Sequence, residues 1–579
     1  MHRQTKVKAS FFLVFVFVSI VSILRAAPPV EIDLKGVNVT AVPGVEVNRS
    51  MYGYKSFRVR VVNSTSVQHE IELILNSRYG SSEIQQVSRK FIIAANETRN
   101  ESVFFPMMGF NTDGLEVKVD GFAASEKLFG YSNFYRNYYG SESALVDNKI
   151  SASMFKNVFS GLEMNQFEGD LSQYNDNWLA YTPFALLLFY SSTFEQMPVA
   201  AQNAIFNHLR MGGSMVLLGD TRLPPDFKPY NYLSNPYKIK NVKAYQAGFG
   251  KLITVPDDLL TTIATATVAG PLLFPDVGDA PLRKVANTSY PFNKFNKEEL
   301  ETVSGKLLMI LIYAFALIIG PVNVLVLHKT GKKIWVFFTV PAVSLICCLL
   351  IVGYYMIFER STLLVKKSSL TFLDERYNRA LTFGSLAVFS SANRPAGFNF
   401  TFDTEVMEMK KRTYRTRDGN KFINLDGSQN LADGWIRPKI PVYLHLRKIQ
   451  TCRERLEIEK TDKTYKVLNG LGAKIKTVHL RTFAGEYYSC KNLPAGQTGK
   501  LLPETYENVT GMKDLPWVYK RGWYKMVERL DKESRNFLEK GMYVAILEDT
   551  PFLEKQSFED QSMSNQAIVI GVMNSEGRQ

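Results

Sequence analysis

Three kinds of hydrophobic pattern divide the chain. Residues 28–122 carry short runs in which apolar and polar positions alternate, such as Phe57-Arg58-Val59-Arg60-Val61 and Glu70-Ile71-Glu72-Leu73-Ile74-Leu75. Period-two runs punctuated by Asn, Gly and Ser predict antiparallel strands with one buried face, here a β-sandwich. Over 144–290 the pattern changes. Phe184–Tyr190 is continuously apolar, as expected of a strand covered on both faces. Pro198–Met211 then has helical spacing in Val199, Ala204, Ile205 and Leu209, Gly212-Gly213 stops it, and Ser214–Gly219 is a second apolar strand. Strand, helix, Gly-Gly and strand predict one βαβ unit of a parallel sheet. Residues 359–579 return to strand patterns, with a tight turn at Asp418-Gly419 and late buried strands at 542–547 and 567–573. Between them, 517–540 predict an amphipathic helix with Trp523, Met526, Val527, Leu530 and Phe537 on one side.

Two stretches are apolar for long enough to cross a bilayer, Leu307–Leu327 and Ile334–Phe358. The short turn His328–Lys333 makes them a helical hairpin spanning 307–358. Its Lys329, Lys332 and Lys333 suit a cytoplasmic loop, although Lys306, Arg360, Lys366 and Lys367 make the outer flanks basic too. The first 26 residues break the tie. His2, Arg3, Lys6 and Lys8 precede an apolar run from Ala9 to Leu24, the pattern of a signal peptide or signal anchor. The expected topology places both large segments outside the cytoplasm and only the hairpin turn inside. Within the hairpin, Pro321 and Pro341 interrupt the helices, and Asn323 is the strongly polar side chain deep in the first span. Asn323 has two readings, docking onto another membrane subunit or a packing contact within the hairpin. The second is the commoner use of an intramembrane polar group.

Composition narrows the classes. Lys+Arg 69 against Asp+Glu 55 gives a net charge of +14, spread along the chain rather than concentrated in a block. That distribution gives only a weak inference of nucleic acid, which is not expected as a partner, and a basic surface facing an anionic membrane or wall polymer explains it as well. Four cysteines exclude a disulfide-dense scaffold. Six scattered histidines offer no metal-ligand spacing, and there is no P-loop, GxGxxG, HExxH or CxxC, so no metal or cofactor is expected. Cys452 and Cys490 are the cysteines outside the second span. An oxidising compartment permits a bridge between them, and the alternative is a pair of buried free thiols. His69 lacks an evident partner and reads as surface. The Asn-x-Ser/Thr triplets at Asn38, Asn63 and Asn508 read as exposed loops.

Trp178–Phe189 and the segment Leu209-Arg-Met-Gly-Gly-Ser-Met-Val-Leu-Leu-Gly219, followed by Ala247-Gly-Phe-Gly-Lys-Leu-Ile-Thr-Val255, resemble the class I glutamine amidotransferase-like fold in its degenerate, extracytoplasmic form. Active relatives use an elbow cysteine with a histidine and a carboxylate. This segment has no cysteine; His208 falls on the helix and Ser214 opens a strand, so the resemblance implies a non-catalytic domain. Its strand ends still offer a crevice, and Gly219, Asp220 and Thr221 are the candidate lining. Val467–Tyr488 and Asn492–Leu501 resemble immunoglobulin-like sandwiches of surface proteins. The whole order, with Gly320-Pro-Val-Asn323 through Leu327, then Trp335 and Pro341, resembles a family of bacterial membrane proteins. It implies an architecture, not an activity.

The expected fold is therefore a multidomain α+β membrane protein. It comprises an N-terminal β-sandwich, an amidotransferase-like α/β domain, two transmembrane helices and an immunoglobulin-like β-rich C-terminal region. The expected function is that of a non-enzymatic scaffold or accessory subunit of an export or envelope complex in the bacterial inner or cytoplasmic membrane. Its partners would be the lipid bilayer and a membrane protein, with a transporter subunit suggested by similar domains in auxiliary subunits of export systems, including gliding-type ABC transporter components. The alternatives are an extracytoplasmic ligand or polysaccharide sensor and a cell-envelope hydrolase, whose carboxylate pair would meet only in the fold.

Overall fold

The computed structural model describes residues 29–44, 53–79, 83–106, 112–129, 142–151, 162–167, 170–219, 242–257, 295, 305–331, 333–359, 363–409, 420–461, 464–505, 538, 540–558 and 563–574. The signal segment, the Asp418-Gly419 turn, Asp220, Thr221, Asn508 and all but Leu538 and Lys540 of the amphipathic helix expected over 517–540 lie outside the described residues.

The N-terminal strands are β1 (Val30–Leu34), β2 (Val37–Pro43), β3 (Tyr54–Asn63), β4 (His69–Tyr79), β5 (Glu83–Ile93), β6 (Thr98–Pro106), β7 (Thr112–Val119) and the short β8 (Phe122–Ala123) and β9 (Lys127–Leu128). β1, β2, β3 and β6 make one antiparallel sheet, and β4, β5 and β7 belong to the sheet facing it. The alternation read from sequence is the burial pattern observed: Phe57, Val59 and Val61 point inward, while Arg58 is half-buried and Arg60 exposed.

The next unit contains β10 (Glu142–Val146), β11 (Leu162–Gln166), β12 (Phe184–Tyr190), α1 (Ser191–Gln196), α2 (Val199–Arg210), β13 (Ser214–Leu218), β14 (Lys243–Ala247) and β15 (Gly250–Val255). Its strand order is β11-β10-β12-β13-β15-β14, with β14 antiparallel and the others parallel. The predicted βαβ unit is thus present. Gly212 ends α2 in the left-handed region at φ +101, a conformation open to a residue without Cβ.

The hairpin follows as α3 (Gly305–Leu317), a π-helical turn Ile318–Val322, α4 (Asn323–Lys329) and α5 (Val336–Glu359). Two windows, Ile312–Lys329 and Val336–Gly353, are apolar and long enough to span a membrane, with mean hydropathies of 1.7 and 2.6. Their large side chains, including Ile312, Tyr313, Phe337 and Phe338, face outward from the protein. The C-terminal strands are β16 (Leu363–Asp374), β17 (Arg379–Ser390), β18 (Phe398–Phe400), β19 (Thr404–Glu408), β20 (Lys421–Asn424), β21 (Gln429–Leu431), β22 (Val442–Thr451), β23 (Leu456–Thr461), β24 (Thr464–Asn469), β25 (Ile475–Arg481), β26 (Tyr487–Leu493), β27 (Thr498–Lys500), β28 (Leu502–Pro503), β29 (Met542–Leu547) and β30 (Met563–Val572).

The sequence pattern gives two separate β regions, one on each side of the hairpin. The structure joins them. β20 pairs in parallel with β5, Lys421 opposite Gln85 and Asn424 opposite Ser88, and β21 and β18 continue that sheet. Periodicity could not reveal this, because alternation reports which face of a strand is buried and not which strand lies beside it. A second sheet runs β19-β22-β17-β16-β30-β29-β25-β26-β28, and β23-β24-β27 form a third, smaller one over its far end.

Tyr54 is the point where the units meet. Its backbone N–H donates to Thr182 Oγ1 at 2.9 Å, on the turn before β12. Its hydroxyl accepts from Val406 N at 3.0 Å and donates to Gln429 Oε1 at 3.0 Å, so one buried side chain touches β19 and β21 as well. Burial pushes the phenol pKa up, which keeps it a neutral donor. Beside it, Arg447 on β22 pairs with Glu405, donates to Met211 O at 3.2 Å and lies over the Trp178 ring. Trp178 Nε1 donates to Asp403 O at 3.0 Å, and Phe249 meets Phe383 edge-on at 4.4 Å. The α/β unit is therefore wedged between the sandwich and the long sheet.

Tyr54→Phe deletes one atom and leaves the Val406 N–H and the Gln429 carbonyl short of a partner in a dry site. Urea unfolding of the purified chain in detergent should show a loss of about 1–3 kcal/mol. A loss below about 0.5 kcal/mol would mean that the junction does not couple the units.

Candidate functional site

The crevice expected from sequence lies at the carboxyl ends of the parallel strands. Gly219 is there, at φ +99 with its N–H donating to Val255 O at 2.8 Å. The exit of β13 is thus bound to the end of β15, and the carboxylate of Asp257 lies alongside. The strand order, however, reverses between β10 and β12, and that is where an open α/β sheet parts its connections. Asp147 occupies this point. It is fully buried, its Oδ1 accepting from Lys149 N at 3.0 Å and its Oδ2 from Tyr190 N at 3.1 Å. Oδ2 thus ties the exit of β10 to the end of β12, while Oδ1 caps the turn that follows β10. Aromatic side chains pack close by, with Phe167 stacked on Tyr174 at 4.0 Å and Tyr174 edge-on to Phe189 at 5.8 Å. Sequence reasoning passed over Asp147; the signal was a lone acid ending the apolar run Ala144-Leu145-Val146.

His208 and Ser214 lie at the opposite, amino-terminal end of the sheet. Ser214 is buried at the start of β13, paired with Leu186, and His208 packs edge-on against Gly213, whose missing Cβ leaves room for the imidazole. Neither occupies a strand-to-helix elbow.

In the hairpin, Pro321 lies in the π-helical turn. Asn323 N–H reaches Gly320 O and, one residue further back than in an α-helix, Ile318 O, so the backbone is re-satisfied around the proline. Asn323 Nδ2 donates to Thr339 Oγ1 at 3.0 Å on the second helix, and Thr339 donates back to Trp335 O at 3.2 Å. The asparagine joins the two spans. Pro341 lies inside α5 without ending it.

Cys452 and Cys490 are both buried in one apolar cluster, and each is a free thiol. Burial pushes the Cys452 thiol up to about 12, which keeps it protonated and unreactive. Near it, Glu375 in the β16–β17 turn accepts from Leu456 N at 3.0 Å and from Tyr543 Oη at 2.9 Å. It fastens the small third sheet to the long one. Desolvation raises its carboxyl to about 7, against the opposing pull of these hydrogen bonds and of Arg455.

Three readings from sequence are corrected. Asn38 lies within β2, half-buried and opposite Asp33 and Val62, rather than in an exposed loop. Asn63 is buried rather than in an exposed loop, its amide donating to Val67 O and Ala94 O at 2.8 Å each. His69 is buried rather than at the surface. Its Nδ1 lies 2.7 Å from Asp120 Oδ2 and its Nε2 2.9 Å from Thr65 Oγ1. The β4–β7 pairing brings Asp120 beside it from fifty-one residues away, beyond the reach of local pattern.

No protein family and no curated protein matches the chain. Among solved structures, it is similar to the yeast delta-COP-I mu-homology domain complexed with a Dsl1 WxWxV peptide, at 8% identity over 37% of this chain and 97% of that one, with a TM-score of 0.17. It is also similar to a Paenibacillus cycloisomaltooligosaccharide glucanotransferase, at 9% identity over 30% of this chain and 27% of that one, with a TM-score of 0.15. A Kluyveromyces marxianus beta-glucosidase aligns at 8% identity over 77% of this chain and 45% of that one, with a TM-score of 0.09. Similarity at this level carries no functional argument.

A double-mutant cycle of Asn323→Leu and Thr339→Val should give a coupling of about 0.6–1.7 kcal/mol in detergent. Zero coupling would return Asn323 to an intermolecular role. Glu375 makes stability depend on pH with a definite sign. Its folded pKa lies above the unfolded value of 4.5, so its contribution is full below pH 4.5 and declines as pH rises through about 7. Thermal unfolding of Glu375→Gln and of the parent should agree near pH 4.5 and diverge by pH 8, with the variant the more stable. Parallel curves would contradict the assignment.

Proposed function

We propose that the chain is a non-enzymatic, membrane-anchored scaffold or accessory subunit of an envelope or export complex, with both large segments on the extracytoplasmic side. The observation that carries this reading is the pairing of β5 with β20. Two segments hydrogen-bonded in one sheet share one side of a membrane, so a hairpin between them must leave and re-enter on that side. The short turn with Lys329, Lys332 and Lys333 fits the cytoplasmic side, which supports an extracytoplasmic body. The scaffold assignment is supported by Asp147, the acid at the strand-order switch of the α/β unit, whose carboxylate accepts from two backbone N–H groups. It is further supported by the likeness of Trp178–Val255 to degenerate amidotransferase-like domains and of Val467–Leu501 to immunoglobulin-like sandwiches. The bilayer is one partner, and a transporter-type membrane subunit is the other that this architecture suits.

Single cysteines test the topology. In Cys347→Ala/Cys348→Ala protein, a cysteine at Gly331 should resist a membrane-impermeant thiol reagent in intact cells, or in spheroplasts where an outer membrane is present. Cysteines at the exposed Asn96 or Gly427 should both label. Labelling at Gly331 together with protection at the other two would reverse the orientation; opposite results at Asn96 and Gly427 would break the shared-side argument. Purification from membranes in mild detergent should bring down a stoichiometric membrane protein. Recovery of glycan without protein would favour a polysaccharide sensor instead.

A further inference from the structure

The chain contains the same sandwich corner twice. At the first, Asn63 ends β3, donates from its amide to Val67 O and Ala94 O, and accepts from Thr65 N. At the second, Asn469 ends β24, donates to Ala473 O and Leu493 O, and accepts from Leu471 N. The backbone agrees around both. Asn63 N bonds Glu97 O and Asn469 N bonds Gln497 O, while Ser64 N bonds Gly36 O and Gly470 N bonds Arg455 O. The following turns share their conformation but not their bond: Asn96 and Gly496 are both in the left-handed region at φ +55 and +71, while Asn96 N bonds Thr65 O and Gly496 N bonds Asn469 O. The pairing is also equivalent: β2-β3-β6 corresponds to β23-β24-β27, and β7-β4-β5 to β29-β25-β26.

This equivalence makes a controlled comparison. His69 faces Ile93 as Ile475 faces Leu493. Thr65 corresponds to Leu471, and Asp120, just past Val119 in β7, to Leu547, just past Ile546 in β29. In the second copy, Leu471, Ile475 and Leu547 are wholly buried in one apolar cluster. The first copy puts Thr65, His69 and Asp120 at the same positions and links them by hydrogen bonds of 2.9 and 2.7 Å. The corner therefore folds with an apolar trio, and its architecture does not demand the polar one.

The polar trio adds sensitivity to a proton. Asp120 Oδ1 accepts from Glu70 N at 3.0 Å, which leaves Oδ2 to take the His69 Nδ1 proton. The Thr65 hydroxyl has Asn63 Oδ1 at 2.7 Å, His69 Nε2 at 2.9 Å and Val67 O at 3.0 Å around it. The Asn63 amide orientation is fixed because its nitrogen already serves two carbonyls. With a neutral imidazole, these acceptors compete for one hydroxyl proton. With an imidazolium, Nε2 becomes a donor and the hydroxyl is released to Asn63 or Val67. Among side chains, histidine is the one whose ordinary charge change falls between pH 5 and 8. The charged groups at the corner are Asp120 on the turn after β7, Lys35 on the β1–β2 turn, Glu97 on the turn after β5, and Glu70 on β4 itself. Asp120 is held below the usual carboxylate range, by the His69 hydrogen bond first, so it stays an anion facing the imidazolium.

We infer that Thr65, His69 and Asp120 form a proton-operated latch that fixes the 64–68 loop when His69 is charged and releases it when His69 is neutral. The loop carries Val67, which is 56% exposed. The latch thus sets the order of an apolar tip on the sandwich.

The test is amide hydrogen exchange of the full chain in detergent at pH 5 and pH 8, corrected for intrinsic rates. Protection at Thr65–Val67 should fall about five- to tenfold on going to pH 8, the worth of about one hydrogen bond, while the matching loop at Leu471–Ala473 stays level. The triple change Thr65→Leu, His69→Ile and Asp120→Leu, which copies the second corner, should fold and abolish the difference. His69→Gln, which cannot take the proton, serves as the second variant and should also give a flat response. Equal protection at both pH values in the parent, or a pH response that survives in either variant, would overturn the latch.

Discussion

Four residues laid along a strand that precedes them by more than three hundred positions decide how this molecule can be arranged. Lys421–Asn424 pair in parallel with Gln85–Ser88, and everything else accommodates that register. Because the pairing is backbone to backbone, it fixes distance and direction together, which side-chain contact alone does not. The hairpin must begin and end near one body. The α/β unit, inserted in sequence between the paired strands, packs against Tyr54 of the sandwich on one side and against Arg447 and Phe383 of the long sheet on the other. Tyr54 shows the consequence at atomic scale, with a backbone bond to one unit and a hydroxyl shared by two others.

The contacts at this junction favour position over raw stability. Glu405 and Arg447 are both almost fully buried, and the attraction between such charges does little more than offset the cost of drying them. Their value lies in direction. A guanidinium that must also reach Met211 O and lie over Trp178 admits few orientations of the α/β unit against the sheet. The apolar part, with Phe249 against Phe383 and Phe372, supplies burial without that directional demand.

Much of the local structure was legible from residues alone. The continuous apolar run Phe184–Tyr190, the glycine stop at Gly212 and the two long spans needed only their own neighbours to be read. What escaped was set by partners distant in sequence. No local feature of Lys421–Asn424 names Gln85–Ser88 as its neighbour, and His69 looked solitary because Asp120 arrives only through the β4–β7 pairing. Asn63 misled in another way. A glycosylation-type triplet and a buried strand-ending asparagine are written with the same letters, and only the two carbonyls on its amide distinguish them. At the crevice, Gly219 was named but Asp147 was not, because a switch point is a property of strand order and no single residue announces it.

The same long-range pairing orders assembly in time. β5 is synthesised about 330 residues before β20, on the order of tens of seconds earlier at ordinary elongation rates. During that interval its outer edge lacks the neighbour it has in the finished sheet, and an open edge is a template for unwanted pairing. The sequence of β5 is adapted to the wait: Arg89 and Lys90 follow Gln85, Gln86 and Ser88 along the strand, a polar and charged edge that resists flat association. After β20 arrives, Asp426 Oδ1 accepts from Lys90 N at 2.7 Å and Leu425 N donates to Ser88 O at 2.8 Å, closing the same edge beyond the four paired residues. A sandwich that stands incomplete until chain from beyond the helical hairpin reaches it cannot be a freely separable domain. The two β regions are halves of one folding unit, and the hairpin is a loop within it.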